Sequence, residues 1–231
     1  MVTVSGWFVG TSRDEAAEAA DRLASLLADG GFGDLVVSDP SVGDRWVRVQ
    51  LLDSAPEVDW DDDRWLRFSV DLRCPSSVRY GAMSSASTPF PSSTPGAGLR
   101  FPLFTPGGAG QVLDFGELPA TGRVVLLNPG NSPASPVFEV SGPTPASGFY
   151  VLQADTGARI TFESPVPTGS VLRIDSRDGS AVIDGVADRS GDLLVDAWPN
   201  VPAGESAEFL FAPVAESSAA TLTVSVTATY W

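Results

Sequence analysis

The residues of this chain that could do chemistry are carboxylates. Residues 171–185, VLRIDSRDGSAVIDG, hold Asp175, Asp178 and Asp184, and residues 59–65, DWDDDRW, hold four aspartates. Such groups bind hard cations or move protons. A helix-loop-helix calcium loop needs acids at its first, third and fifth positions, then a glycine, and a glutamate at the twelfth. Here Asp175 is followed by Ser176, Arg177, Asp178 and Gly179, which misses that register and puts a cation inside it. Asp-Gly is a hairpin dipeptide in its own right, so this stretch reads as a turn. In DWDDDRW, neighbouring acids on an extended chain point to alternate faces. That run reads as a solvated loop between strands, with Trp60 and Trp65 packing on either side. Neither stretch is expected to hold a metal.

Other chemistries lack their residues. The chain has no histidine and no lysine, its 14 basic residues are all arginine, and Cys74 is its single cysteine. Serine or cysteine triads, imidazole zinc sites, Schiff bases and lysine-dependent phosphate loops are thereby excluded, and no intrachain disulfide can form. Cys74 reads as a small buried hydrophobe. Glycoside hydrolysis needs only two carboxylates at a set separation. That option stays open, although no acid stands in a strongly apolar context. Trp198, Phe149, Tyr150, Tyr230 and Trp231 could form a sugar-stacking platform, but aromatics on strands usually pack against a sheet. No catalytic, metal-binding or cofactor-binding residue is expected, and no cofactor.

The elements that carry these residues belong to an ordinary globular protein. The chain has 231 residues, 43% of them hydrophobic, with a mean hydropathy of +0.08 and no apolar run of membrane-spanning length. Its start, MVTVSGWFVG, has no charged leader region and reads as a strand. The net charge is −15 and spread along the chain: residues 1–80 carry 15 acids and 8 arginines, residues 98–231 carry 14 and 6. Such a surface repels phosphate backbones and anionic lipid, so neither nucleic-acid binding nor membrane insertion is expected.

The pattern predicts a mainly β protein in two parts. Residues 1–80 read as an α+β domain: a strand at TVSGWFV, a helix over TSRDEAAEAADRLASLLADGG, and strands at FGDLVVSD, DRWVRVQLLD and RWLRFSVDLRC. Ser12 and Glu15 fit a capping box, and Gly30 and Gly31 are the expected stop. Residues 81–97, GAMSSASTPFPSSTPGA, carry no charge and read as a Ser/Pro-rich linker. Residues 98–231 read as an antiparallel β-sandwich, with short strands from GLRFPLF and QVLDFG to TLTVSVTATYW. NPGN (128–131) and RDGS (177–180) are its expected hairpin turns, each with a glycine supplying positive φ.

The order of these features resembles the distal tail proteins of long-tailed phages, the siphovirus-type tail components or phage minor tail proteins. The likeness is carried by VSGWFVGTSRDEAAEAADRLASLL, LVVSD, DRWVRVQLLD and RFSVDLRCPSSVRYG, then by GRVVLLNPGNSPASPVFEVSGP, VLRIDSRDGSAVIDGV and LLVDAWPNVPAGESAEFLF. Arg79, Tyr80 and Gly81 match the end of an acid-Pro-x-x-Tyr motif, with Ser76 and Ser77 where Asp and Pro usually stand. In the second domain Asn128, Gly130, Asn131, Pro136, Asp175, Gly185, Pro202 and Gly204 fall on the family's turn marks, beside Asp178 and Gly179. These are turn-shaping positions, so the resemblance implies no catalytic residue. It implies a tube-like first domain, a galectin- or jelly-roll-like sandwich, and a hexameric ring of copies at a tail tip. Its partners would be the tail tube protein and hub, baseplate or fibre proteins, in a virion assembled in the host bacterial cytoplasm. Trp46, Trp60 and Trp65 are the candidate ring contacts. Family members begin with further strands ahead of the one like TVSGWFVG, which leaves open a shortened form, a fragment or a differently completed sheet. A carbohydrate-binding module for bacterial surface glycans is the alternative reading, and a sandwich glycosidase a third.

Overall fold

The computed structural model describes residues 1–52, 56–91, 120–215 and 219–231. The strands expected at GLRFPLF and QVLDFG, and residues 92–97 of the expected linker, lie outside the described residues. The chain forms two compact units, Met1–Ala82 with Tyr230–Trp231, and Met83–Thr229.

The first unit is a sheet with one helix on it. It contains β1 (Val2–Val9), α1 (Arg13–Ala24), β2 (Phe32–Asp39), β3 (Gly43–Leu51), β4 (Glu57–Asp62), β5 (Trp65–Arg73) and the start of β6 (Arg79–Pro89). Every pairing is antiparallel: β1 with β5, β5 with β4 and the end of β3, and β3 with β2 and with Tyr80 of β6. Alternation sets the two faces. Leu66, Val70 and Leu72 of β5 and Val47 and Val49 of β3 are buried. Ala16 and Ala19 of α1 pack onto Leu66, with Phe8, Val58 and Phe68 around them. Small residues on that helix face let its axis approach the sheet closely.

Two levels of the sheet fix how its strands are offset. Val2, Leu72 and Leu51 share one level, and Phe32, Gln50 and Arg73 share the next below. β1 therefore runs upward from about the level at which β2 begins its descent.

The helix is shorter than its apolar spacing predicts. Ser12 caps its start by accepting the Glu15 amide at 3.2 Å, while the Glu15 carboxylate reaches back to the Thr11 amide at 2.7 Å. The last turn closes at Ser25, whose hydroxyl donates to the Arg22 carbonyl, and Leu27 takes a left-handed φ of 51°. Residues 25–30 continue as single turns rather than as helix.

The linker expected from residue 81 is a strand over its first half. β6 runs through residues 79–89; in the first unit its Tyr80 pairs with Trp46 of β3, and in the second the strand runs beside β16. Its uncharged Ser, Ala and Thr residues suit a pleated ladder, where Ser87 and Thr223 share a 2.8 Å hydroxyl contact. A low-charge Ser/Thr/Ala composition does not tell such a strand from a linker. The acidic run is also ordered differently from expectation: β4 carries Asp59–Asp62 into a tight turn to β5, with a bulge between Trp60 and Asp62.

The second unit is an antiparallel sandwich. Its strands are β7 (Arg123–Leu127), β8 (Val137–Ser141), β9 (Phe149–Gln153), β10 (Arg159–Phe162), β11 (Val171–Asp175), β12 (Ser180–Ile183), β13 (Ala187–Asp188), β14 (Leu193–Val195), β15 (Ser206–Pro213) and β16 (Thr221–Tyr230). One layer follows the order β6, β16, β8, β11, β12, β13, and the other β14, β10, β9, β15, β7. Phe138, Phe149, Phe162, Phe209 and Phe211 are fully buried between them. Phe138 meets Phe209 edge-on at 5.5 Å, as Phe149 does Phe211. Phe149 is thus core and not part of a sugar platform.

Two turn expectations change. NPGN is not a hairpin turn, because β7 and β8 belong to opposite layers and residues 128–136 cross between them. Gly130 is required there by close approach rather than by its φ: a Cβ would lie 2.0 Å from the Thr229 carbonyl oxygen. The second change is at AVIDG (181–185), which reads from the sequence as one more strand: Asp184 and Gly185, with φ of 50° and 71°, form a turn that ends the strand at Ile183. Both angles are positive, which suits the right-handed twist of the hairpin β12–β13.

Candidate functional site

The carboxylates that opened the question are structural. Asp175 ends β11 with a side chain only 5% exposed. Its Oδ1 accepts from the Arg177 amide at 3.0 Å and from Arg177 Nε at 3.1 Å; its Oδ2 accepts from Arg177 Nη2 at 2.9 Å and Arg173 Nη2 at 3.0 Å. Burial pushes its pKa up, but the hydrogen bonds from Arg177 and the charges of Arg177 and Arg173 outweigh that and hold the carboxyl below its ordinary value. Pro136 joins the cluster by accepting the Ser176 amide at 3.2 Å. Asp178 accepts from the amide and hydroxyl of Ser180 at 3.0 and 2.6 Å, and Gly179 turns at a φ of 74° against Trp198. Asp184 accepts the Val171 amide at 2.9 Å. Asp175 and Asp178 brace the β11–β12 hairpin and Asp184 ties the β12–β13 turn back to β11, so the three carboxylates are each engaged locally.

A second knot gathers four of the turn residues. Asn128 is fully buried. Its Nδ2 donates to the carbonyls of Ser132 at 2.8 Å, Val201 at 3.1 Å and Pro202 at 3.3 Å, and its Oδ1 accepts the Gly130 amide at 3.0 Å. The Gly204 amide donates to the carbonyls of Asn128 and Gly130 at 3.0 and 2.9 Å. Asn128, Gly130, Pro202 and Gly204, far apart in sequence, form one hydrogen-bonded unit that fixes the crossing from β7. Asn131 is exposed beside it. The sequence marks these positions as turns; that they meet follows only from the sandwich.

The exposed large aromatics Trp7, Phe32, Trp60 and Trp65 lie on the first unit. Trp46 is half-buried and packs on Tyr80, with ring centroids 4.6 Å apart. Trp60 opposes Leu66, so it shares the helix face, whereas Trp65 opposes Val9 on the other face. The three tryptophans are therefore not one patch. Trp7 was not singled out from the sequence, yet it is 73% exposed. Its alternation with Phe8 was the available signal. Trp7, Trp65, Arg67, Asp61 and Ser5 line an open groove of ≈ 360 Å³, within which Arg67 Nε pairs with Asp61 at 2.5 Å. Among the described residues β1 pairs only with β5, and β2 only with β3. No helix among the described residues is long and apolar enough to cross a membrane.

Comparison with known proteins agrees with this picture of a scaffold. Residues 129–230 match the family of siphovirus-type tail components, C-terminal domain. No curated protein sequence matches the chain. The crystal structure of the Dit protein of phage SPP1 superposes with a TM-score of 0.61, covering 99% of this chain and 78% of that one at 12% identity. A chain of the phage p2 baseplate in its activated conformation with Sr gives a TM-score of 0.52 over 97% of this chain and 79% of its own, at 10% identity. Both likenesses run through the helix-bearing unit as well as the sandwich, since they cover almost the whole chain. Residues 129–230 thus fit the C-terminal domain of the siphovirus-type tail components, and the fold along nearly the whole chain is like that of the SPP1 Dit protein.

Proposed function

We propose that this chain is the distal tail component of a siphovirus-type particle: a non-catalytic subunit whose copies form a ring, six in number as in the resemblance, between the tail tube and the baseplate or fibre proteins. It is incorporated into the virion as the tail assembles in the host bacterial cytoplasm. The observation that carries this reading is the match of residues 129–230 to the tail-component domain, on a chain whose fold as a whole is similar to that of the SPP1 Dit protein. The absence of histidine and lysine, and the use of Asp175, Asp178 and Asp184 in local hairpins, support a scaffold rather than an enzyme. Tail tube protein and hub proteins are the partners this role requires.

Electron microscopy of particles carrying a tagged copy of the chain tests the role. The tag should mark the tail tip, in a ring around the tail axis. A single copy decorating the particle through the sandwich, with the first unit free, would overturn the assignment in favour of a surface adhesin.

A further inference from the structure

Arg45 of β3 is a cation with an unmet donor. It is half-buried, with its guanidinium over the Tyr230 ring at 3.9 Å from the centroid. Its Nε is buried and has no hydrogen-bond acceptor among the described residues. Stacking uses the face of a guanidinium and leaves its N–H donors in the plane. A buried donor without an acceptor is rare and costs free energy.

The same side chain lines a pocket of ≈ 310 Å³ whose walls are all described residues of the first unit. Pairing of β2 with β3 sets Leu35 opposite Val47, Val37 opposite Arg45 and Asp39 opposite Gly43, so these residues share one face. Leu35, Val37 and Val47, with Val42 from the turn, make the apolar wall, and Val37 and Val42 are exposed. Two further charged groups reach the pocket, and both are engaged. Arg79 donates to the main-chain oxygen of Trp231. Asp39 accepts from the amide and hydroxyl of Ser41 at 2.7 and 2.5 Å. On a chain of net charge −15, a pocket with two arginines and one aspartate is a local exception that favours an anion.

We infer that this pocket takes the C-terminal residue of a partner polypeptide, its apolar side chain against Val37 and Val42 and its free carboxylate on Arg45. The volume is that of a small-ligand site, more than a bare anion needs. Spacing selects the residue. Val37 and Arg45 are directly opposed, a pairing that holds Cβ atoms about 5 Å apart. Apolar group and carboxylate must therefore sit on one residue. A C-terminal residue carries both on its Cα, whereas an acidic residue and its apolar neighbour in an extended chain point to opposite faces. A guanidinium fork meets such a carboxylate with two parallel hydrogen bonds. This binding role goes beyond the tail assignment and stands or falls separately from it.

The test is a titration of the isotope-labelled full chain with N-acetyl-leucine, read on the arginine Nε–H signals by NMR. The Arg45 signal should shift saturably, with a dissociation constant on the order of millimolar for so small a ligand. N-acetyl-leucinamide, which lacks the carboxylate, and inorganic phosphate, which lacks the apolar group, should each bind at least tenfold more weakly. Arg45→Gln, followed on the Arg79 signal, should weaken binding at least tenfold. Val42→Asp, at an exposed turn position, should do the same with the melting temperature nearly unchanged, which separates lost binding from lost folding. No saturable shift with N-acetyl-leucine, an equal response to the amide, or unchanged binding in either variant would overturn the pocket's role. Equal binding of phosphate would make it a bare anion site and overturn the C-terminal specificity.

Discussion

Two arginines converge on Asp175, and this sets how the sandwich responds to acid. Its pKa is depressed in the folded state, so its contribution to stability is present above the ordinary aspartate pKa of about 3.9 and disappears as the pH falls through the lower folded value. Asp175→Asn should therefore destabilise the protein by about 1–3 kcal/mol at neutral pH, and the gap from the parent should close on acidification, as read by thermal melts across the acid range. Asp178→Asn, by contrast, should leave the melting temperature nearly unchanged, since Asn-Gly suits the turn as well; a calcium-dependent rise in melting temperature lost in that variant would refute the structural role. Asn128→Ala removes a buried hub and should cost about 2–3 kcal/mol in denaturant unfolding. The turn at Asp178-Gly179 was legible because Asp-Gly has its own local geometry. The burial of Asp175 and Asn128 was not, because it depends on which distant segments face them: Pro136 and Arg173 for one, Val201 and Gly204 for the other.

At the scale of elements, alternation was the readable signal. It places β5 with Leu66 and Val70 inward, and it finds β7 to β11, β15 and β16 close to where they lie. It fails at α1, where Leu26 and Leu27 keep helical spacing after the helix has closed at Ser25. It fails again at β6, whose polar, uncharged residues resemble a linker until β16 supplies a partner. That partner changes what proteolysis should show. The Phe90 amide donates to the Ala220 carbonyl at 3.3 Å, and β6 is hydrogen-bonded along β16. A protease cut between residues 92 and 119 should therefore yield two fragments that still co-elute in native size-exclusion chromatography and separate only in denaturant. Fragments that part under native conditions would show that the β6–β16 pairing is weak.

At the scale of the whole molecule, charge opposes association. A −15 chain repels its copies at low ionic strength, and salt screens that repulsion. Rings should therefore be scarce in dilute, low-salt buffer and increase with added salt, as read by light scattering; a ring population that falls with salt would place charged pairs between copies. The offset between β1 and β2 has its own consequence. β1 rises from the level where β2 starts down, so from Val9 to Asp39 the sheet reaches over about sixteen residues along the strand direction, roughly 50 Å at 3.3 Å per residue, although no strand in it exceeds eleven. That reach hangs on the short overlap of Gln50 and Leu51 with Arg73 and Leu72, and a two-residue slip there would change the length of the sheet while leaving every side chain on its own face.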